Sequence, residues 1–299
     1  MDHDMTTRNR NERLRRCAVL PPASHHAMPA SMSKKMINRC LGFLLLVLCS
    51  LSSAVAAGPD CSRPFTLALH EHGLLYSAEA NTGIDKDFAD ELIRRSGCKV
   101  NVNVMPRARI WQLIESGALD FSLSGITNTE RNRFAAFAWY FSNKYYLLVR
   151  KDANVKRLVD LERSDSFQLG VIRSFRYSES ANRLVDKLEA ANHVSQANGL
   201  APLYQTLFLN RIQGMIIEPF DIPVLEEKKL HDLTNLIEFN DPAVPHGLIM
   251  SRKSLTTLEQ NKWRDLVNAM RSDGTVRSIF EKYFNSDIAA AMTDFQAPP

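Results

Sequence analysis

Between Phe65 and Ser124 the chain switches repeatedly between two hydrophobic periods, and that alternation limits the folds open to it. Phe65–Leu69 (FTLAL) is a short apolar run that reads as a buried strand. After a loop ending near Gly83, Phe88, Leu92 and Ile93 share one helical face. Asp85 and Asp87 suit the start of that helix, Arg94 and Arg95 its end, and Gly97 its stop. Residues 99–104 alternate Val100, Val102 and Val104 with polar side chains, a period-two strand. A second helix over 108–116 carries Ile110, Leu113 and Ile114 and stops at Gly117; residues 121–124 form the next strand. Strands alternating with helices predict an α/β fold on a parallel sheet.

The pattern then repeats. Residues 145–150 read as a strand, and 167–172 opens a second series with helices near 178–191 and 200–209 and a strand at Gly214–Ile217. Residues 237–246, with Pro242 and Pro245, read as a crossing segment before a short strand at 248–251. Two terminal helices follow, one with Leu266, Val267 and Met270, the other with Val276, Ile279 and Phe280. Residues 296–299 are expected to be disordered.

The first 57 residues read as a leader. Lys34, Lys35 and Arg39 precede an apolar run at 41–51 that is short for a bilayer span, and Ala54-Val55-Ala56 fits a cleavage site before Ala57. A retained membrane anchor is the alternative. Met32 is a candidate true start. This leader carries eight Lys+Arg and three Asp+Glu, so of 37 basic and 33 acidic residues 29 and 30 remain, a formal charge of −1. The chain's positive total therefore gives no support to nucleic-acid binding. Of five cysteines only Cys61 and Cys98 lie beyond the leader, and an even pair in an exported chain predicts a disulfide.

In this order, the elements resemble the family 3 extracytoplasmic solute-binding proteins, the polar amino-acid receptors of ABC importers. The resemblance covers about residues 64–285. It rests on Gly83-Ile84-Asp85 opening the first helix, on LIESGALD from Leu113 to Asp120, and on Ser124-Gly125-Ile126-Thr127 followed by Glu130-Arg131. Asn210-Arg211 before a strand ending at Glu218, and Ser272-Asp273-Gly274-Thr275 before FEKYF, complete it. The resemblance implies a two-lobed fold of periplasmic binding-protein type with two crossover segments and a ligand cleft. Residues 58–150 plus 243–299 would form lobe 1 and 151–242 lobe 2. It implies a periplasmic monomer that hands an amino acid or similar zwitterion to an inner-membrane ABC permease, with no cofactor.

Arg131 matches the family arginine that pairs with a ligand carboxylate, which a planar guanidinium can grip through two parallel hydrogen bonds. Ser124, Gly125 and Thr127 match the turn completing that site, although Asn128-Thr129-Glu130-Arg131 is one residue shorter than the usual spacing. Glu218 matches a carboxylate that receives the ligand ammonium at a strand's C-terminal end. Glu71, ambiguous by one residue with His70, and Tyr76 lie in the loop after the first strand. Arg107 stands where many relatives have an aromatic, and Arg173-Ser174-Phe175-Arg176-Tyr177 where many have a Gly-Thr pair. These arginines either favour a ligand with a second acidic group or pair with protein carboxylates.

Catalytic motifs are missing: there is no His-Glu-x-x-His, Cys-x-x-Cys, Gly-x-Ser-x-Gly or phosphate loop. His70-Glu71-His72 reads as a solvated loop rather than a metal site, and Trp111, Trp139 and the Phe134/Phe137 pair read as core. Two other functions stay open. Some relatives are dehydratases of prephenate-like acids, which would need a cleft acid such as Glu71 or Glu218 with a raised pKa. A ligand-sensing receptor without transport is the other.

Overall fold

The computed structural model describes residues 58–163 and 166–296. The leader assigned to residues 1–57 and the disorder expected for 297–299 lie outside the described residues. The first strand–helix series builds β1 (Phe65–Leu69), α1 (Ile84–Ser96), β2 (Val100–Val104), α2 (Arg107–Ser116), β3 (Phe121–Gly125) and β4 (Ala135–Asn143). The second builds β5 (Tyr146–Arg150), β6 (Leu169–Ile172), α3 (Glu179–Ala190), β7 (Val194–Ala197), α4 (Leu200–Phe208), β8 (Gly214–Ile217), α5 (Ile222–Glu227) and β9 (Thr234–Glu238). The chain then returns through β10 (Val244–Ser251) to α6 (Thr257–Ser272), α7 (Thr275–Phe280) and α8 (Ser286–Thr293).

The strands form two five-stranded sheets, ordered β2-β1-β3-β10-β4 and β7-β6-β8-β5-β9. Both are mixed rather than wholly parallel. In each, four strands run the same way, and the strand that arrives from the other lobe runs antiparallel between two of them: β10 against β3 and β4, β5 against β8 and β9.

Sheet membership also moves the first crossover. Lobe 1 was expected to reach residue 150, but Tyr146–Arg150 pairs only within the second sheet. The fifth place in the first sheet is taken by β4, which pairs with β10 over eight positions. Its sequence, AAFAWYFSN, is buried at every position but one and so has no period to read. The second crossover is residues 239–243, between β9 and β10.

Local chemistry sets the helix ends that aim the loops. Gly97 closes α1 in a left-handed conformation (φ 68°), open to a residue without a Cβ, and its N–H donates to the Ile93 carbonyl. Arg95 at the same end donates to Glu91 and to Asp273 beyond α6. In the lobe 1 core Trp263 of α6 meets Phe65 and Phe121, with ring centroids 5.3 and 4.6 Å apart. Phe220, from the turn after β8, is fully buried in this same core beside Phe141 and Phe284. The second lobe has its own core, from Leu147, Val149, Leu169 and Val185 on one face of its sheet and Leu203, Leu207, Met215 and Ile217 on the other.

Cys61 and Cys98 are bonded, with Cα atoms 4.9 Å apart, because β1 and β2 run parallel and start side by side. The bridge closes a loop with a sequence separation of 37. Replacing Cys61 with Ser is expected to cost roughly 3–4 kcal/mol in urea unfolding, the chain-entropy cost of reopening that loop. An unchanged midpoint would mean the bridge adds nothing to stability.

Candidate functional site

The C-terminal ends of the parallel strands in both sheets face each other across the molecule, where open α/β sheets hold ligands. β3 ends there in a strained turn. Ser124 sits at φ 52°, a region that side-chain-bearing residues rarely adopt. Three hydrogen bonds hold it. Its N–H donates to the Tyr140 hydroxyl at 2.9 Å, its Oγ donates to Asp85 Oδ1 at 2.6 Å, and the Tyr140 hydroxyl donates to the same oxygen at 2.9 Å. Asp85, at the start of α1, is fully buried. Burial pushes its carboxyl up to about 6, against the pull of Ser124 and Tyr140.

Past this turn lies Arg131. Its guanidinium lies over the Trp111 ring, 4.0 Å from the centroid, and donates to the Ile126 carbonyl at 3.0 Å. It also reaches the other lobe, donating to the Ser174 carbonyl at 2.8 Å. Arg131 is 7% exposed. Burial, with the nearby Arg107 and Arg176 charges, lowers it to about 9, which leaves it cationic at neutral pH.

Arg107 opens α2 and is also buried. It donates to the Leu123 carbonyl at 3.0 Å and meets His70 Nε2 at 3.0 Å. A guanidinium has no acceptor, so Nε2 of His70 must be the acceptor. Across from it, Glu218 ends β8 and is 5% exposed. Burial and the Asp221 carboxylate hold Glu218 well above the usual range, and burial lifts Asp221 to about 7. His72 Nε2 stands 3.9 Å from both Glu218 Oε1 and Asp221 Oδ1, and burial drops His72 to about 3.

Arg107, Ser124, Gly125, Arg131, Arg176 and Glu218 line one central cavity. Its interior is about 20 Å³, room for a single water. Of these residues Ser124 has both its N–H and its hydroxyl engaged internally. The other expected site residues lie outside the cavity. Thr127 is exposed and bonds Asn132. Arg173 lines an adjoining space of about 360 Å³, and Glu71 and Tyr76 line a third of about 620 Å³.

Two residues were misread from sequence. His70 and His72 are buried, at 3% and 2% exposure, not part of a solvated loop. His70, not Glu71, meets Arg107, because side chains alternate as the chain leaves β1 and Glu71 turns outward. Trp111 packs in the core as read from sequence, beside Ile110, Ile114 and Phe137, and its ring also carries the Arg131 guanidinium. Among the described residues no group of three or more His, Cys, Asp or Glu side chains is placed to hold a metal ion.

A sequence profile of the bacterial extracellular solute-binding proteins, family 3, matches residues 63–286. The arginine-binding extracellular protein ArtP of Bacillus subtilis (strain 168) is 24% identical over 257 residues, covering 84% of this chain and 97% of that protein. Among solved structures, an ancestral arginine-binding protein bound to arginine gives a TM-score of 0.63 at 20% identity, covering 76% of this chain and all of that one (100%). The arginine-, lysine-, histidine-binding protein ArtJ from Geobacillus stearothermophilus gives 0.63 at 17% identity, covering 74% and 95%. At these identities the structural matches establish the fold.

Asp85 generates a pH prediction. Its folded pKa, about 6, lies above the ordinary 3.8, so its contribution opposes folding above pH 6 and vanishes below about pH 4. In Asp85→Asn the amide oxygen still accepts from Ser124 and Tyr140. That variant is expected to gain stability over wild type as pH rises from 4 to 7, by roughly 2–3 kcal/mol at the upper end. Parallel curves of melting temperature against pH for the two proteins would refute the assignment.

Proposed function

The chain belongs to the bacterial extracellular solute-binding proteins of family 3, and from that premise we propose that it captures an amino acid or similar small carboxylate between its lobes for an inner-membrane ABC importer. The observation that carries this reading is Arg131: a buried guanidinium with no carboxylate among its hydrogen-bond or ion-pair partners in the described residues, seated where the two lobes meet. A ligand carboxylate gives it a charge-assisted partner that the protein does not. Glu218 faces it from the opposite lobe and is the group to take a ligand ammonium. On this reading lobe 1 is residues 58–144 with 244–299, lobe 2 is 145–243, and the mature protein works as a periplasmic monomer. The amino-acid ligands named for its relatives support the ligand class.

A second reading is favoured by one observation. Burial and Asp221 push the Glu218 carboxyl well above its ordinary range, the direction a general acid in a dehydratase needs. Loss of a cyclohexadienyl acid with wild type but not with Glu218→Gln would support it; no turnover with wild type removes it.

Calorimetry tests the binding reading. Arg131→Ala is expected to weaken amino-acid binding by about 2–4 kcal/mol, since a charged partner is lost in a dry site. Glu218→Gln is expected to cost less, because an amide still accepts a hydrogen bond. Wild-type affinity in a natively folded Arg131→Ala protein would place the carboxylate elsewhere.

A further inference from the structure

Resting on the binding-protein reading, we propose that the ligand carries two anionic groups, one gripped by Arg131 and the second by Arg176 and Arg107. The starting observation is a charge imbalance in one small space. Arg107, Arg131 and Arg176 all line the central cavity, and Glu218 is the single carboxyl that does. Arg107 is 5% exposed and Arg131 7%, yet their hydrogen bonds run to backbone carbonyls and to His70, not to carboxylates. Arg176 stands exposed at the cavity rim with no side-chain partner of its own, close enough for its charge to act on Arg131. Two buried cations without counter-charges in contact are costly, and an anion bound among them would offset that cost.

Charge counting narrows the ligand. Asp85, the other carboxyl felt by Arg107, is committed to Ser124 and Tyr140. With Asp85 and Glu218 ionised, three guanidiniums leave one positive charge. An amino acid with an acidic side chain, net −1, balances it; a neutral zwitterion does not, and a cationic amino acid makes it worse. With Glu218 protonated the excess is two, which a plain dicarboxylate balances. Both solutions have two carboxylates, so the second anion is the shared requirement.

The geometry also gives the direction of the second group. Phe175 lines the central cavity and both outer spaces. Its ring stacks on His72 at 5.2 Å and lies 5.7 Å from His70. Phe175 and Arg107 border both the cavity and the 620 Å³ space, whose lining includes Glu71, Glu79 and Glu227 with Lys228. On its other side the cavity shares Trp111, Arg131, Ser174 and Arg176 with the 360 Å³ space, where Arg173 adds a further exposed guanidinium, and this is the side we assign to the second anion. Glu115, Glu130 and Glu189 also line that space, all exposed to solvent and so weakly felt at the cavity.

Isosteric pairs test this. Titration calorimetry of the full-length mature protein would compare L-glutamate with L-glutamine and L-aspartate with L-asparagine, with succinate, L-alanine and L-arginine alongside. The expected result is a preference of at least about tenfold for an acid over its amide, which in Arg176→Gln shrinks severalfold. Arg176 is exposed, so that variant is expected to fold. Succinate binding would identify a plain dicarboxylate receptor; glutamate or aspartate binding without succinate would show that the ammonium is also read. Tighter binding of alanine, an amide or arginine than of any diacid overturns the inference and leaves the amino-acid receptor reading intact. An acid preference that survives unchanged in Arg176→Gln overturns the place assigned to the second anion. If no compound binds, both readings fall.

Discussion

The site depends on one buried carboxyl oxygen. Asp85 Oδ1 accepts from the Ser124 hydroxyl and the Tyr140 hydroxyl, and so ties the start of α1 to the end of β3 and the middle of β4. This knot holds Ser124 at positive φ, and the turn that follows carries Arg131 onto Trp111. Strain of that kind persists only where surrounding contacts over-determine it. The second oxygen, Asp85 Oδ2, has no hydrogen-bond partner. The knot is therefore satisfied on one side only, which is why burial outweighs its two donors.

Around the knot the interior holds buried histidines and buried acids in close quarters. His70, His72 and His246 are pushed down by burial; Asp85, Glu218 and Asp221 are pushed up. The two sets act with opposite sign. On folding, the histidines release protons below pH 6.5, so their contribution to stability falls as pH falls. The acids take up protons above about pH 4, so theirs falls as pH rises. Between those limits the slopes oppose, and an interior dense in titratable groups can show a flat stability profile. The individual shifts emerge only when one group is removed. The buried histidines, pushed down by burial, add no positive charge at neutral pH, so the guanidiniums are the cations of the cleft.

Much of this was legible in the chain. The strand at 99–104 was marked by alternating valines, although β2 is an edge strand and Val102 and Val104 are 40% and 48% exposed. Periodicity identified the element, while its place in the sheet decided the burial. β4 was invisible because burial on both faces erases alternation, and with it went the true first crossover. Arg131 and Glu218 were readable as cleft residues from their positions after strands. Their surroundings were not, because His70, His72, Trp111 and Asp221 gain meaning only from neighbours distant in sequence. Asp85 was marked as a helix-start acid, and it is one. That its side chain turns inward to Ser124 required knowing where β3 ends.

The lobes are joined firmly at one end of the cleft. Phe220 of the second lobe sits in the core of the first, and its carbonyl accepts from the Leu74 N–H at 3.0 Å. Gly73 lies at φ 47°, and a Cβ there would come 2.5 Å from that carbonyl, so the junction requires glycine. The crossovers add the Lys144–Glu238 ion pair and the Tyr145 hydroxyl 2.9 Å from His246 Nε2. Across the cleft itself run the Arg131 bond to the Ser174 carbonyl and the Phe175 ring against His72, His70 and Arg107. A ligand carboxylate reaching Arg131 would displace the Ser174 carbonyl from it. The exchange favours the ligand. A carboxylate replaces a neutral carbonyl, and a charge-assisted pair is about twice as strong as a bond between neutral groups. The contact that closes the cleft from within is thus weaker than the contact a carboxylate ligand would make in its place.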